Sequence, residues 1–546
     1  MNTLNPNQQK AVLSPHPNKC ILAGAGSGKT KTLVECTKYW NQHGVPASQM
    51  VVITYTNGGA SELVGRSNLK FHFCGTLHAF LLRLLQRFGF VIGLATPLTV
   101  MDDEQRKEMI EEAKKQAGYK GKVCDFEDAL ALGPYGQNVS RVLKPQNLAA
   151  LAYYQRIAKA QLVDHDTILH YGLKLLRSLP PDTLPVTHLF VDEYQDTAPI
   201  DDSIYDFMPV THRFRCGDPD QSIYKFRGAS VDNIVDLTKR DDVEVLLLEE
   251  NYRCDETICH AAQQLIEHNE NRPPKRTVST TGETGKIIFA PHVEERDELV
   301  WLARTINALP DPSQVAVLVR FNRLVERIAF GLEGFGVDVQ KVEADRLPED
   351  WGKALRFLQL LDNPDNNDLA YRWLCAVQGE RAAKEAKVKA IRANTSINAT
   401  NMRFQTNLAL AEVPQVLAVN GYTRDSVERI KGAIALLPED ASISELLLSF
   451  RNEERAPAEV KGVFVGTIHS AKGREWDNVF LPAFEEGMLP SLSKSASIEE
   501  ERRLAYVAMT RARHHLYLSC VQNRADLYRP VQNKMQRSRF IDEAMN

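Results

Sequence analysis

The chain contains 546 residues, of which 43% are hydrophobic and 25% charged, and its formal net charge is −4. This length exceeds what a single hydrophobic core supports, so we expect about two to four domains. The near-neutral charge excludes a strongly basic protein that binds nucleic acid through its overall field. Any contact with nucleic acid must come from local basic patches and stacking side chains.

The same composition argues against a membrane or secreted protein. The sequence has no apolar run near the roughly 18 residues of a membrane span. The first residues lack the charged and apolar regions of a signal peptide. The nine cysteines are irregularly spaced without a Cys-x-x-Cys pair, which is typical of reduced thiols. We therefore expect a cytoplasmic protein without a membrane partner.

A glycine-rich loop follows the first predicted strand. It leads into a helical pattern, as a phosphate-binding loop requires, although alanine replaces glycine at its first position. Backbone N–H groups and the helix amino terminus would bind phosphate, Lys29 would reach the terminal phosphates, and Thr30 would ligate Mg²⁺. A glycine-rich turn that merely caps a helix is the alternative. The loop consists of Ala23, Gly24, Ala25, Gly26, Ser27, Gly28, Lys29 and Thr30.

The region after the loop changes from a sheet pattern to a helical one. Short apolar runs at 51–54 and 71–74 predict strands of a parallel sheet, whose ligand lies at the carboxyl ends of the strands. From about residue 80 to 180 the strand pattern disappears. Residues 104–116 and 147–160 have helical patterns, with a glycine- and proline-containing break at 133–136. A helical insertion is therefore predicted here.

Two adjacent carboxylates follow the apolar run at 188–191. In Mg²⁺-dependent NTP hydrolysis, Asp192 would hold the metal ion and Glu193 would position and deprotonate the attacking water. An acidic turn that faces solvent is the alternative when the pair is considered alone. Together with the phosphate-binding loop, the pair predicts an NTPase.

A second α/β unit is predicted in the remaining sequence. Its strand-like runs are 286–289, 315–319, 463–465, 479–481 and 516–518, and a mostly helical stretch interrupts them over 350–455. The sequence thus predicts an α/β fold with two parallel-sheet cores, each carrying a mainly helical insertion. The predicted domains are 1–80 with 181–250 (first core), 81–180 (its insertion), 251–371 with 456–546 (second core) and 372–455 (a reduced second insertion).

Four further segments combine aromatic and basic residues: 217–229, 248–253, 467–476 and 500–513, the last predicted as an amphipathic helix. Each alone also fits ordinary packing and surface charge. In this order, and with the segments 4–9, 54–57, 75–78 and 538–540, they closely resemble the motifs of the UvrD/Rep/PcrA family of superfamily 1 DNA helicases. The resemblance extends from Leu4 to Phe540 and implies a P-loop NTPase with two RecA-like motor cores.

The resemblance implies roles for residues around ATP. Lys29 and Thr30 would bind the phosphates and Mg²⁺ together with Asp192, and Glu193 would be the general base. Gln221 would sense the γ-phosphate. The other implied ATP contacts are Gln8 and Tyr252 at the adenine, Lys31 beside the loop, Glu475 at the ribose, and Arg253 and Arg511 as arginine fingers from the second core.

The resemblance also implies a DNA-binding face. Tyr55, Tyr224 and Phe226 would stack on bases, which suits a motor that must pass any sequence. The other implied DNA contacts are Thr56, His78, Arg227 at a phosphate, and His469, which would couple the strand to the ATP cleft. The implied activity is 3′-to-5′ translocation on single-stranded DNA and unwinding of 3′-tailed duplex DNA, in repair, replication or anti-phage defence.

The sequence departs from the family pattern in several side chains and in size. Phe226 replaces the usual tryptophan and Tyr55 the usual phenylalanine, so stacking is retained. Lys31 replaces a common arginine and loses its planar fork, and Gly58-Gly59 replaces Lys-Ala, which removes a phosphate contact. The second insertion is smaller than in housekeeping relatives, and little sequence follows Phe540.

The small insertion leaves an alternative function open. A DNA-stimulated ATPase could regulate a separate nuclease subunit without robust unwinding of its own, as in the helicase subunits of anti-phage systems such as Gabija. An RNA helicase of the same superfamily is a third alternative. The segment around Gln221 and Phe226 looks like the DNA-directed branch and favours a DNA helicase.

Overall fold

The computed structural model describes residues 4–121, 130, 145–340, 348–393, 395–398, 408–450, 462–493, 496–527 and 531–545. The predicted break at 133–136 and the predicted boundary at 456 lie outside these residues. In the described part of the chain, no helix combines the length and apolar character needed to cross a lipid bilayer.

The strands of the described residues are numbered in chain order. They are β1 (Asn18–Ala23), β2 (Met50–Thr54), β3 (Phe73–Thr76), β4 (Thr99–Val100), β5 (Leu162–Val163), β6 (His188–Val191), β7 (His212–Gly217), β8 (Glu244–Leu248), β9 (Glu250–Asn251), β10 (Val278–Ser279), β11 (Lys286–Glu294), β12 (Val315–Val319), β13 (Val339–Gln340), β14 (Val463–Thr467), β15 (Trp476–Leu481), β16 (Ala512–Ala525) and β17 (Gln532–Lys534).

The α-helices are numbered in the same way. They are α1 (Pro6–Leu13), α2 (Lys29–Gln42), α3 (Asn57–Ser67), α4 (Leu77–Phe88), α5 (Asp103–Gln116), α6 (Pro145–Lys159), α7 (His165–Ser178), α8 (Pro199–Phe207), α9 (Val231–Leu237), α10 (Glu256–Glu267), α11 (Glu295–Asn307), α12 (Asn322–Gly334), α13 (Trp351–Asp362), α14 (Asn367–Gln378), α15 (Glu380–Arg392), α16 (Val413–Val419), α17 (Arg424–Ile434), α18 (Ile443–Ser449), α19 (Ile498–Met509) and α20 (Arg539–Met545).

The first half of the chain, up to β8, folds around a six-stranded parallel sheet. Its strand order is β3-β2-β6-β7-β1-β8. Strand residues alternate between two hydrophobic cores: Val52 and Phe190 pack with α1, α2 and α3, whereas Val51 and Leu189 belong to the core on the other face. Because both faces are covered, strands such as β2 and β6 are nearly continuous apolar runs.

The second half, from β9 onward, contains the other large sheet. Its order is β11-β16-β15-β12-β14-β13 with parallel neighbours, and β17 pairs antiparallel with β16. Val317 and Phe480 face α11 and α12, while Leu318 and Val479 face α10, α19 and α20. The predicted α/β fold with two parallel-sheet cores is confirmed.

The helices α13 to α18 pack on the first half, although they are inserted between β13 and β14 of the second sheet. Phe357 of α13 lies in the same hydrophobic core as Leu81 of α4 and the first sheet. Gln359 Nε2 donates to Val100 O at 3.0 Å. The predicted domain boundary at 372 falls within α14, and α13 already belongs to this helical group.

The helix predicted over 500–513 is wrong at its carboxyl end. It ends at Met509, where Thr510 Oγ1 donates to Tyr506 O at 2.9 Å and satisfies one of the last carbonyls. Ala512 then begins the long strand β16 and pairs with Trp476 of β15. Sheet pairing therefore overrides the helical pattern.

The fold gathers the predicted site residues at sheet edges. The segments that directly follow β1, β2, β3, β6 and β7 contain Lys29, Tyr55, His78, Asp192 and Gln221, respectively, and Tyr252 follows the short strand β9. These are the carboxyl ends of parallel strands, where α/β sheets bind ligands. Glu475 and Arg511 directly precede β15 and β16 of the second sheet. Ala25 and Ile223 of the first half are buried in a core of the second half, so the two halves pack against each other.

Candidate functional site

The glycine-rich loop joins β1 to α2 and accepts close contacts from the second half. Gly26 (φ +64°) and Gly28 (φ +77°) adopt left-handed backbone conformations that favour glycine. A Cβ atom at Gly24 would lie 2.7 Å from Thr277 Oγ1, and one at Gly26 would lie 2.7 Å from Arg253 Cβ. Gly24 and Gly26 are therefore required where the second half packs on the loop, beyond any role in capping α2.

The first two residues of α2 meet the acidic pair after β6. Lys29 Nζ lies 3.6 Å from Glu193 Oε2, and Thr30 Oγ1 donates to Asp192 Oδ2 at 3.3 Å. Asp192 is buried at the end of its strand. A hydroxyl beside a carboxylate at a phosphate-binding loop is a donor set that fits Mg²⁺, which takes few protein ligands and completes its shell with phosphates and water.

The charges in this cluster shift each other's pKa values. Burial by itself lowers the pKa of Lys29, but Glu193, Asp218 and Asp192 outweigh it and raise the pKa. Burial and the Glu193 carboxylate raise the pKa of Asp192 to about 7. Burial would also raise the pKa of Glu193, but Lys29 and then Lys472 lower it to about 2. Glu193 is therefore ionised, as its predicted role as a general base requires.

A chain of hydrogen bonds links Glu193 to Arg511 of the second half. Gln195 Nε2 donates to Glu193, and Gln195 Oε1 accepts from Asp218 N at 2.8 Å. Asp218 Oδ2 accepts from Gln221 Nε2 at 2.5 Å. Gln221 Oε1 accepts from Arg511 Nη2 at 3.3 Å. The catalytic candidates of the two halves thus share one polar network.

Arg511 is a buried cation whose hydrogen-bond acceptors are neutral. The residue is 1% exposed and donates to Val507 O at 3.0 Å, Arg474 O at 3.2 Å and the Gln221 amide. Burial and the neighbouring Arg253 lower its pKa to about 9. Within the described residues, no carboxylate accepts a hydrogen bond from Arg511. Because a buried charge is costly without a counter-ion, this position favours an incoming anion.

Arg253 lies against the glycine-rich loop and is paired with Glu475. Arg253 Nε donates to Glu475 Oε2, and Glu475 Oε1 accepts from Arg513 Nη2 at 2.7 Å. Burial alone would raise the pKa of Glu475, but Arg253 and Arg513 outweigh it and lower the pKa. Two residues predicted to contact ATP separately, Arg253 and Glu475, are therefore paired with each other here.

The residues predicted at the adenine lie beside the loop. Gln8 is buried, its Nε2 donates to Ser27 O at 3.0 Å, and its Oε1 accepts from Asn5 N at 3.1 Å. These bonds hold α1 against the loop. Tyr252 is 50% exposed and its hydroxyl accepts from Asn5 Nδ2 at 2.6 Å. Its ring is thus fixed at one end and open to stacking.

The remaining loop candidates have structural surroundings of different kinds. Ala23 is the last residue of β1, and Gly24 N donates to Leu248 O at 3.0 Å. Ala25 is buried in the core shared with the second half. Lys31 is exposed on the first turn of α2.

Four aromatic side chains predicted to contact DNA form one row, which we call the aromatic row: Tyr55, Tyr224, Phe226 and His469. The rings of Tyr55 and Tyr224 stack with centroids 5.2 Å apart, and Phe226 meets His469 edge-on at 5.4 Å. Tyr224 contacts both Phe226 and His469. The guanidinium of Arg227 lies 5.5 Å from the Tyr224 ring centroid. Phe226 is 67% exposed, so the row reaches the surface.

His469 connects the aromatic row to the second half as a neutral side chain. Burial, and then Arg320, lower its pKa to about 4. Three residues further, Lys472 Nζ donates to Asp196 and to Gln221 O at 3.0 Å, and lies 4.7 Å from the Tyr224 ring centroid. The aromatic row and the Gln221 loop are therefore joined by one lysine.

Thr56 and His78 lie at the starts of α3 and α4. Thr56 caps α3, because its Oγ1 accepts from Gly59 N at 3.0 Å. The His78 ring lies 4.6 Å from that of His165 and lines a cavity together with Asn57 and Glu445. Both residues follow strands of the first sheet, but His78 is placed between that sheet and the helical groups.

Comparison with known proteins agrees with these motifs. Residues 4–242 match the UvrD/REP helicase N-terminal domain, and residues 246–402 and 422–523 match the UvrD-like helicase C-terminal domain. The chain belongs to the UvrD/Rep helicase family. Similar proteins include the ATP-dependent DNA helicase PcrA of Bacillus subtilis, which is 27% identical over 99% of this chain and 85% of the relative.

Two further relatives show how widely the family extends. The ATP-dependent DNA helicase srs2 of Schizosaccharomyces pombe is 26% identical, over 97% of this chain and 73% of its own length. The ATP-dependent DNA helicase UvrD1 of Mycobacterium tuberculosis is 28% identical, over 99% of this chain and 85% of its own length.

Several residues that tie this UvrD/Rep-type site together received no role from the sequence. Lys472, Gln195 and Asp218 connect the acidic pair, the Gln221 loop and the aromatic row. All three lie within or beside motif segments, which is the only signal that could have identified them. Arg513, which pairs with Glu475, was assigned to a helix and lies in β16.

Proposed function

We propose that this protein hydrolyses ATP between its two halves and uses the cycle to move 3′ to 5′ along single-stranded DNA. As a UvrD/Rep-family member, it is an ATP-dependent DNA helicase. The observation that carries the proposal is the contact of Arg511, from the second half, with Gln221 of the first half. It brings a buried cation into the polar network of Lys29 and Glu193.

The first half would bind ATP and activate water. Lys29 would neutralise the terminal phosphates, and Gln8 would face the adenine together with Tyr252 of the second half. Thr30 and Asp192 would hold Mg²⁺, which supplies charge neutralisation when bound. Glu193, ionised and oriented by Gln195, would accept a proton from the attacking water.

The second half would complete the site with arginines. Arg511 has a buried guanidinium bonded to neutral acceptors, so an anionic phosphate is a better partner than those it has. Arg253 would exchange its bond with Glu475 for the γ-phosphate, which would free Glu475 to accept from the ribose. Such arginine fingers contribute about 10³-fold or more to the rate.

Closure of the two halves would then move the residues that contact DNA. Lys472 contacts the Gln221 loop and the Tyr224 ring, so a shift at the γ-phosphate reaches the aromatic row. Bases would stack on Tyr55, Tyr224 and Phe226, while Thr56, His78 and Arg227 would meet the strand nearby. A two-state closure driven by ATP would advance the strand and be reversed on hydrolysis. The substrates would be single-stranded DNA and 3′-tailed duplex DNA, in the cytoplasm.

The test is ATP turnover with and without single-stranded DNA. Turnover should rise when DNA is added. Lys29→Ala and Glu193→Gln should both lower it by about 10²-fold or more, and Glu193→Gln should still bind ATP because the phosphate contacts remain. An ATPase rate that is the same with and without single-stranded DNA would refute the proposal.

A second candidate function is an ATPase subunit that regulates a separate nuclease. The small size of the second helical insertion, 372–455, favours it, because this insertion is expected to support the unwinding of duplex DNA. A strand-displacement assay on a 3′-tailed duplex distinguishes the two. Robust unwinding by the protein alone removes the need for a nuclease partner.

A further inference from the structure

One segment of the second half returns to the first half after α10. Within the second half, its strand β10 pairs in parallel with β9, and Thr280 Oγ1 donates to Asn251 O at 3.0 Å. Thr277, just before β10, is the residue whose hydroxyl oxygen would lie 2.7 Å from a Cβ at Gly24. The segment 272–280 therefore touches the phosphate-binding loop itself.

The same segment inserts two cations beneath the Gln221 loop. Lys275 Nζ donates to Asp218 Oδ1 and lies 3.1 Å from Asp220 Oδ2. Arg272 binds both carboxylate oxygens of Asp220, through Nε at 2.9 Å and Nη2 at 2.8 Å. The side chains of Lys275 and Asp218 are both fully buried. Two cations thus face two buried carboxylates beneath this loop.

Asp218 holds the amide of Gln221 in one orientation. An ionised carboxylate only accepts hydrogen bonds, so its contact with Gln221 at 2.5 Å must use the Nε2 amide group. The other end of the amide, Oε1, then faces Arg511 at 3.3 Å. If the side chain at position 218 were neutral or displaced, the Gln221 amide could rotate by half a turn. Its NH₂ group would then face the Arg511 guanidinium, and two hydrogen-bond donors would meet without an acceptor.

We propose that Lys275 is a positioning residue for ATP hydrolysis, which holds the Asp218 carboxylate in place so that Gln221 accepts from Arg511. The inference rests on the proposed ATPase function and adds to it a residue outside the predicted motifs. The order of contacts is Lys275, Asp218, Gln221 and Arg511. Through this series of contacts, the segment 272–280, which packs on the phosphate-binding loop, also positions Gln221, the residue proposed to sense the γ-phosphate.

The charge balance explains why Lys275 is needed. Burial by itself raises the pKa of Asp220, but Lys275 and Arg272 outweigh it and lower the pKa to about 2. Arg272 already makes two bonds with Asp220. Without Lys275, the buried carboxylates of Asp218 and Asp220 would share one arginine, Arg272, which favours movement of the carboxylate that has lost its partner. Asp218 would then lose its fixed orientation.

The test compares Lys275→Met with two other variants in steady-state ATPase assays at saturating single-stranded DNA. Lys275→Met should lower kcat by about 10–100-fold and leave KM for ATP within about threefold, because positioning acts on the transition state. Lys275→Arg keeps the charge and should recover most of kcat. Arg276→Met removes an exposed cation from the same segment and should behave like the wild type.

A double-mutant cycle separates positioning from mere structural support. Gln221→Ala should remove most of the effect of Lys275→Met, since the lysine acts through that amide. Two results would overturn the inference. One is a double variant in which the fold-losses of kcat from the two single variants multiply, and the other is a Lys275→Met enzyme with wild-type kcat. If Lys275→Met gives no cooperative melting transition, the same cycle with Asp218→Asn, which keeps the volume, decides the question by the same two outcomes. Wild-type turnover that does not rise when single-stranded DNA is added would instead refute the proposed function.

Discussion

Two lysines lie at the opposite ends of β1 in surroundings of opposite character: Lys19 is buried, and Lys29 has 12% of its side chain exposed. Lys19, near the amino end, donates to Ser14 O and lies 4.5 Å from the Phe214 ring centroid, and burial lowers its pKa to about 8. Lys29, beyond the carboxyl end, is surrounded by Glu193, Asp218 and Asp192, which raise its pKa despite burial.

The difference separates a structural lysine from a functional one. At the amino end of the sheet, stacked rings such as His188 and His212 (centroids 4.4 Å apart) fill the space, and no substrate is needed to complete it. At the carboxyl end, acids and cations face each other across the two halves. Burial alone therefore does not indicate function, whereas charged groups gathered from several strand ends do.

The largest expected effect is at the carboxyl end, on Arg511. Arg511→Met should lower kcat by about 10³-fold or more, since an arginine finger is lost. The melting temperature should stay the same or rise, because the buried cation has neutral acceptors and its removal lifts a desolvation cost. Turnover and thermal unfolding measured on the same sample test both parts. Unfolding of the variant would mean that Arg511 is structural.

The next effect compares the two lysines directly. Lys29→Met should lower kcat/KM for ATP by about 10²–10³-fold, as expected for loss of a preorganised charge at the phosphates. Lys19→Met is the matched control, with the same substitution at the other end of the strand. It should leave turnover unchanged, and equal losses in both variants would contradict the contrast between the two ends.

A smaller effect is expected on DNA affinity. Phe226→Ala should weaken binding of single-stranded DNA by about 1–3 kcal/mol, the usual contribution of one stacked base. Its 67% exposure means that the fold should tolerate the change. Phe330→Ala, on the exposed face of α12, is the control for loss of a surface phenylalanine. Fluorescence anisotropy with a labelled oligonucleotide measures both, and equal affinities would remove Phe226 from the DNA path.

The smallest effect concerns acid stability at the amino end. Burial, followed by His212 and Lys19, lowers the pKa of His188 from 6.5 to about 4. The unfolded chain therefore binds more protons than the native one between these values, and the free energy of unfolding falls as pH falls through that window. In the His188→Phe variant, the free energy of unfolding should fall by about 1–2 kcal/mol less than in the wild type over this pH range. Urea unfolding at pH 7 and pH 4.5 measures it, and identical pH dependence of both proteins would contradict the assignment.

The sequence was sufficient for features that depend on local patterns. The phosphate-binding loop, the acidic pair and the strand at 315–319 are each specified by fewer than a dozen adjacent residues, and each is found in the predicted kind of element. The parallel arrangement follows from strands that alternate with helices. The fold could therefore be predicted, and the comparisons with known proteins support the same family.

The rest depends on contacts between distant parts of the chain. Arg253 and Glu475, which pair in the structure, are 222 positions apart, and no local sequence pattern predicts that they pair. The packing of α13 to α18 on the first half depends on side chains such as Gln359, which bonds to a residue 259 positions away. Lys275 lies outside every predicted motif, and only its burial against Asp218 reveals it.

The central claim is that one ATP is bound by both halves, and a structure with single-stranded DNA, Mg²⁺ and ADP–aluminium fluoride tests it most directly. The account predicts that the fluoride group, which mimics the transferred phosphoryl group, accepts hydrogen bonds from Lys29, Arg253 and Arg511. It also predicts that Arg253 has left Glu475. A fluoride group bound by the first half alone, with Arg511 still bonded only to Val507, Arg474 and Gln221, would contradict it.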